Sequence, residues 1–392
     1  MMRMIKLGAP TRAKAPLALS LLMAVLGCSF NPLPSQAKLR SLSKLAVIGD
    51  SYSDAGNSGL LTKSTVPPGF PFPSYANGRF TNGPVAVEQL WSLFNPSQPP
   101  LQPSLAPGGT NFAVGGATSG RNSYFQVAGA MPDSLRSLYA STSAYSQLSQ
   151  LLSTFTPGSF DPSSTLFVFW MGPNDGLYWL NTPQSPTTGL TPGTIVGGLP
   201  APATATEMLE NSMYNIGAGV QALIGIGAQH LLVPNLMDFS KAPGFSGDPA
   251  QAAAVQALSL NFNQGLDQTL NKLRALNPGV DIMSFDTYAL FEEIFANPTS
   301  YGFTNSSQAC TSIDNSMVFP TGCSPTADGW LFWDGVHVTS AAHGILASNL
   351  YQTVYAAPGP LPVAGSLVAL GWARRLRQRQ RRAQTSPSVA EG

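Results

Sequence analysis

The chain has 392 residues, 43% of them hydrophobic and only 10% charged, which supports a sizeable core and excludes disorder as its general state. Its net charge of +1 hides a segregation: residues 1–40 carry six Lys/Arg and no acid, 374–382 carry six Arg, and 41–373 carry eight Lys/Arg against eighteen Asp/Glu, a net of −10. The acidic body lacks the clustered cations that a nucleic-acid partner requires.

Residues 1–37 read as an export signal. Arg3, Lys6, Arg12 and Lys14 precede an apolar run at 17–26, and Ser35-Gln36-Ala37 fits a small-x-small cleavage site. The run is too short for a membrane span. Val25-Leu26-Gly27-Cys28 partly resembles a lipoprotein box, so cleavage near Ala37 and lipidation of Cys28 both stay open; Leu26, large for its place, favours cleavage.

Residues 45–48 predict a short buried strand. Gly49 then allows a tight exit that lifts Ser51, the candidate nucleophile, onto the carboxyl-end rim of a parallel sheet, where open α/β sheets bind ligands. A proline-rich loop follows at 67–84, then a helix at 85–94 and a second strand at 110–116 ending in Gly115-Gly116. A helix at 142–155 leads to the continuous apolar strand 166–170, which stops at Gly172-Pro173-Asn174-Asp175. Residues 176–203 are a Gly/Pro/Thr-rich insertion without clear periodicity. Helices at 207–228 and 249–276 alternate with strands at 230–234 and 280–285, and helices at 286–296 and 340–355 complete the body. Five strands, each followed by a helix, predict an α/β fold: a three-layer α/β/α sandwich around a five-stranded parallel sheet, in one domain over 38–356.

With the signal removed, Cys310 and Cys323 are an even pair in a Ser/Thr/Asn/Gly-rich stretch, which in an exported chain predicts a disulfide. No Cys-x-x-Cys or His-Glu-x-x-His occurs, and no metal site is expected.

Serine attack on a carbonyl needs a base, a carboxylate to orient it and donors for the oxyanion. His230 opens a strand on the wrong rim and His343 lies within a helix, which leaves His337 as base, with Asp334 in the same turn to orient it. Asp50 and Asp54 read as braces for the serine loop.

The motifs together resemble the GDSL, or SGNH, family of serine esterases and lipases. Gly49-Asp50-Ser51-Tyr52-Ser53-Asp54-Ala55-Gly56-Asn57 is similar to the family's first block, with Tyr52 where many members have Leu. Asn111-Phe112-Ala113-Val114-Gly115-Gly116-Ala117, Gly172-Pro173-Asn174-Asp175 and Asp334-Gly335-Val336-His337 are similar to the later blocks, in family order. The long first block resembles in particular the secreted phospholipase, lecithinase and haemolysin branch. The resemblance implies a flavodoxin-like fold, Ser51, His337 and Asp334 as catalytic triad, and an oxyanion hole from the Ser51 and Gly116 backbone N–H groups and the Asn174 amide, with Gly115 the second choice to Gly116. It implies an acyl-enzyme on Ser51 and no cofactor. A carbohydrate O-acetyl esterase and a non-catalytic surface-binding protein are the alternatives. Phe70, Phe72, Tyr75, Phe80, Tyr178 and Trp179 are candidates to line an acyl site or stack on sugars.

The tail, 357–392, opens on Pro358-Gly359-Pro360, continues through an apolar stretch at 363–373 and closes on the arginine cluster. That order resembles the bacterial PEP-CTERM sorting signal, with Gly359 in place of its glutamate. Export to the bacterial envelope or medium follows, with export and sorting machinery as partners and membrane contact, transient or anchored, through the tail.

Overall fold

The computed structural model describes residues 42–71, 74–126, 128, 131–154, 160–181, 202, 204–311 and 323–355. The expected export signal, Cys28, Phe72, most of the 176–203 insertion and the tail lie outside the described residues.

Strand β1 (Lys44–Gly49) leads through the serine turn into helix α1 (Asn57–Thr62), and α2 spans Ala86–Phe94. Helix α3 (Ala144–Thr154) precedes β2 (Thr165–Trp170), every residue of which is buried, as a central strand covered on both faces requires. Then come α4 (Pro173–Asn181), α5 (Ala205–Gly225) and β3 (His230–Pro234). The long α6 (Pro249–Leu276) starts with Pro249 behind an Asp248 cap, whose carboxylate accepts from the Ala250 and Gln251 N–H groups. It buries Val255, Phe262, Leu266, Leu270 and Leu273 along one stripe. Strand β4 (Asp281–Phe285), α7 (Thr287–Ala296), the short strands β5 (Asn305–Ala309) and β6 (Trp330–Phe332), and α8 (Ser340–Tyr355) follow.

The main sheet is parallel in the order β1-β2-β3-β4, with α3, α5 and α6 on one face and α2 packed on α8 on the other. The α/β/α sandwich is as the sequence predicts; its second strand is not. Segment 110–114 bonds to the free edge of β1 through Val47 N–H to Thr110 O (3.1 Å), Phe112 N–H to Val47 O (2.8 Å) and Val114 N–H to Gly49 O (3.2 Å), yet forms only an isolated bridge. The Asn111 side chain interrupts it. Its amide donates to Ser53 O and its carbonyl accepts from Ala113 N–H, bending the backbone away from a regular ladder. The continuous sheet therefore has four strands and an irregular fifth edge. Counting that edge, chain order across the sheet reverses between β1 and β2, the switch point at which open α/β sheets place ligands.

Two features went unread in the sequence. Residues 173–181, whose end falls in the supposedly aperiodic insertion, form α4, and β5 pairs parallel with β6 in a separate two-stranded sheet. Cys310 and Cys323 are joined by a disulfide, Cα–Cα 5.5 Å. Cys310 N–H also bonds to Phe332 O (3.2 Å) and Thr311 N–H to Trp333 O (2.7 Å), so the bridge anchors the strand that delivers Asp334.

Candidate active site

Ser51 lies two residues beyond β1. A Cβ on Gly49 would stand 2.8 Å from Ser53 Cβ, so the turn closes only around glycine. Gln147 of α3 clamps both sides of that residue: Gly49 N–H donates to its Oε1 (2.9 Å) and its Nε2 donates to Gly49 O (2.8 Å). The loop beyond is held by Asp54, whose carboxylate accepts from the N–H groups of Gly56, Asn57 and Ser58, the Ser58 hydroxyl (2.6 Å) and Gly115 N–H (2.9 Å). Burial pushes Asp54 up to about 6 against those donors, which still leaves it ionised at pH 7.

Ser51 Oγ is 2.8 Å from His337 Nε2, and His337 Nδ1 is 2.7 Å from Asp334 Oδ2. Asp334 Oδ1 accepts from the N–H groups of Val336 (2.8 Å) and His337 (2.7 Å), and Oδ2 accepts a second bond from the Tyr75 hydroxyl (2.7 Å). Burial alone would raise the Asp334 carboxyl, but the His337 charge and these bonds hold it below its ordinary value. An acceptor-only carboxylate fixes the imidazole proton on Nδ1 and leaves Nε2 to accept from Ser51. The ring is packed between Phe80 and Tyr52, at centroid separations of 5.1 and 5.7 Å. Tyr52 in turn donates to Val336 O (2.5 Å), tying the serine turn to the histidine turn.

Of the two adjacent glycines, Gly115 has its N–H committed to Asp54 and Ser58. Gly116 N–H has no protein acceptor among the described residues, and the carbonyl of Gly116 is held by Tyr124 N–H (2.7 Å) and the Ser123 hydroxyl (3.0 Å). Its φ of 76° and a Cβ position 2.5 Å from the Phe125 ring restrict it to glycine. Asn174, at the start of α4, opens onto the same cavity as Ser51 and His337. The next residue, Asp175, is anchored by Ser119 and Ser212 (2.6 and 3.1 Å), which fixes the start of that helix.

That cavity measures about 750 Å³. Phe70, Tyr75, Phe80 and Tyr178 are buried and do not line it, and Trp179 does not either; Leu177 and Leu180 of the same helix do. His230 is buried with Nδ1 3.1 Å from Asp281 Oδ2 at the far rim. His343 is buried beneath Tyr52, its ring 6.0 Å away, and burial pushes it down to about 3, so it stays neutral. Sequence reasoning named Tyr75 as an acyl-site or sugar-stacking candidate, not as the partner of Asp334 that it is, and missed Gln147. The aperiodic proline-rich loop gives no signal for the Tyr75 contact, while Gln147 could have been noticed as a polar residue on the buried side of a predicted helix.

Asp50 braces the turn as expected, accepting Tyr52 N–H at Oδ1 (3.0 Å), but its buried Oδ2 has no hydrogen-bond partner among the described residues. Burial raises this carboxyl to about 7, offset in part by the Tyr52 bond and the His337 charge. A folded-state value above the unfolded one stabilises most at low pH, and the contribution is lost as pH rises through the folded value. As pH rises from the ordinary carboxylate range through about 7, Asp50 is expected to remove up to about 1.4 kcal/mol per pH unit, with the raised Asp54 and Asp175 adding to the fall. In Asp50→Asn the fall in unfolding free energy with pH, measured by denaturant titration, should become shallower; an unchanged slope would place the titration elsewhere.

The family model of the GDSL-like lipases and acylhydrolases matches residues 45–350. A GDSL esterase/lipase of Arabidopsis thaliana is 27% identical over 325 residues, covering 78% of this chain and 83% of its own. An acetylajmalan esterase of Rauvolfia serpentina is 28% identical over 78% of this chain and 88% of its own. A thermolabile hemolysin of Vibrio parahaemolyticus is 26% identical over 80% of this chain and 64% of its own. With its serine turn, glycine pair and Asp-x-x-His turn gathered on one rim of the sheet, this chain belongs to the GDSL-like lipase/acylhydrolase family and is a hydrolase of ester bonds.

Proposed function

We propose that the protein hydrolyses acyl or lipid-type esters through an acyl-enzyme on Ser51. The carrying observation is the continuous hydrogen-bond chain from Ser51 Oγ through His337 to Asp334. Ser51 Oγ attacks the ester carbonyl while His337 Nε2 takes its proton, and the imidazolium returns that proton to the departing alcohol. Asp334 holds the tautomer and offsets the transient positive charge. The Ser51 and Gly116 N–H groups and the Asn174 amide receive the oxyanion. Water, activated by the same histidine, then releases the acid.

The disulfide, together with the signal-like residues 1–37, supports a working site outside the reducing cytoplasm. No helix among the described residues is long and apolar enough to cross a membrane, so retention at the envelope would fall to the PEP-CTERM-like tail at 357–392.

A fluorophosphonate probe tests the nucleophile directly. One phosphonyl group per chain is expected by intact mass, mapped to the peptide holding Ser51, with loss of esterase activity in proportion. Labelling at any other serine overturns the assignment.

A further inference from the structure

The cavity has two walls, both apolar, formed by different elements. Along the His337 side stand Tyr52, Leu236, Phe239, Phe245 and Val336. On the Asn174 side, α4, α5 and α6 enclose an apolar trough formed by Leu177, Leu180, Met208, Leu209, Leu258 and Phe262. No Lys, Arg, Asp or Glu lines either wall among the described residues.

We infer that the trough between α4, α5 and α6 is the acyl site, that it takes a straight, uncharged chain of about eight carbons, and that the alcohol leaves along the His337 wall. The inference rests on Ser51 being the nucleophile. Around the tetrahedral carbon, the leaving oxygen must face His337 Nε2 to be protonated and the oxyanion must face Asn174 and the backbone donors. The acyl substituent is then directed away from His337, into the apolar trough that is continuous with Ser51 on the Asn174 side. From Asn174 to Leu180 the helix runs six residues, about 9 Å. An extended chain of about eight carbons has that length, since C–C bonds of ~1.5 Å in a tetrahedral zigzag advance about 1.25 Å each. A charged terminus on that chain would lose its hydration with no partner to replace it.

The test compares kcat/KM over 4-nitrophenyl acetate, butyrate, octanoate and hexadecanoate, over methyl to octyl acetates, and on an octanoate ester bearing an ω-carboxylate. The rate constant should rise by about fourfold per methylene in the acyl series up to about eight carbons and no further. Lengthening the alcohol should not reproduce the rise, and the carboxylated chain should be at least about tenfold poorer than octanoate. Gly176 and Leu258 both line the trough, and a Cβ on Gly176 would already touch Leu258 Cδ1 at 3.9 Å, so added bulk at either position fills it. Gly176→Leu, which also improves helix propensity, and Leu258→Trp should each lower the octanoate-to-acetate ratio by about tenfold or more. A wild-type preference for acetate, a preference that follows the alcohol, equal turnover of the carboxylated chain, or folded variants with an unchanged ratio would overturn the inference. Fluorophosphonate labelling separates the two levels: labelling of Ser51 with any of those outcomes removes the acyl trough alone, whereas absence of labelling at Ser51 removes the nucleophile as well.

Discussion

Ser51→Ala is expected to lower kcat/KM by about 10⁵- to 10⁶-fold while leaving the fold intact. The hydroxyl bonds only to His337 among the described residues, and Ala fits the turn, so the unfolding midpoint should stay within about 2 °C. What remains should be about 10³-fold above the uncatalysed rate, because the backbone donors and Asn174 still polarise the carbonyl for attack by water. Adding Asn174→Ala to that variant should remove a further factor of about 100. Turnover within tenfold of wild type in the single variant would exclude Ser51 as nucleophile. Circular dichroism and thermal melts on the same preparations separate loss of chemistry from loss of fold.

The sheet was legible because burial imposes one pattern on it. Residues 166–170 and 231–234 are apolar throughout, as a strand covered on both faces requires. Helix α6 was legible to the residue, since Pro249 opens it and a single apolar stripe runs to Leu273, one turn before its end at Leu276. The edge at 110–116 was misread because Asn111 spends its side chain on the backbone of its own segment and of the serine loop, a tertiary choice invisible to periodicity. The strands β5 and β6 were missed for a related reason: Asn305–Ala309 is polar and largely exposed, and only its pairing with Trp330–Phe332 makes it a strand.

The site divides along the same line. Ser51, His337, Asp334, Gly116 and Asn174 lie in short blocks whose residue types suggested the roles proposed for them. The groups that hold them do not. Gln147 and Tyr75 reach Gly49 and Asp334 from 98 and 259 residues away in the chain, and local sequence carries no record of such distances. Of the aromatic residues expected to line an acyl site or stack on sugars, Phe70 and Phe80 instead pack on each other and on Phe125. Phe80 nonetheless shapes the site, because its ring also lies against that of His337.

Asp334→Asn should cost about 10⁴-fold in kcat with little change in KM, through the tautomer rather than the fold. The wild-type carboxylate makes four acceptor contacts: two backbone N–H groups at Oδ1, and His337 Nδ1 and the Tyr75 hydroxyl at Oδ2. In the amide, the carbonyl oxygen keeps the Oδ1 place, since the two backbone donors there cannot reverse. The NH₂ group then faces His337 Nδ1 and Tyr75. Tyr75 can rotate its hydroxyl to accept, but the histidine can accept only by moving its own proton to Nε2. A protonated Nε2 donates to Ser51 instead of accepting from it, and the nucleophile is left without a base. Asp334→Ala, by contrast, abandons the Val336 and His337 N–H groups and should lower the unfolding midpoint as well as the rate. The pair of variants therefore separates the two duties of the carboxylate: similar loss of activity in both, with loss of stability confined to alanine. An asparagine variant that retains more than about a tenth of wild-type kcat would mean that Asp334 does not set the state of His337.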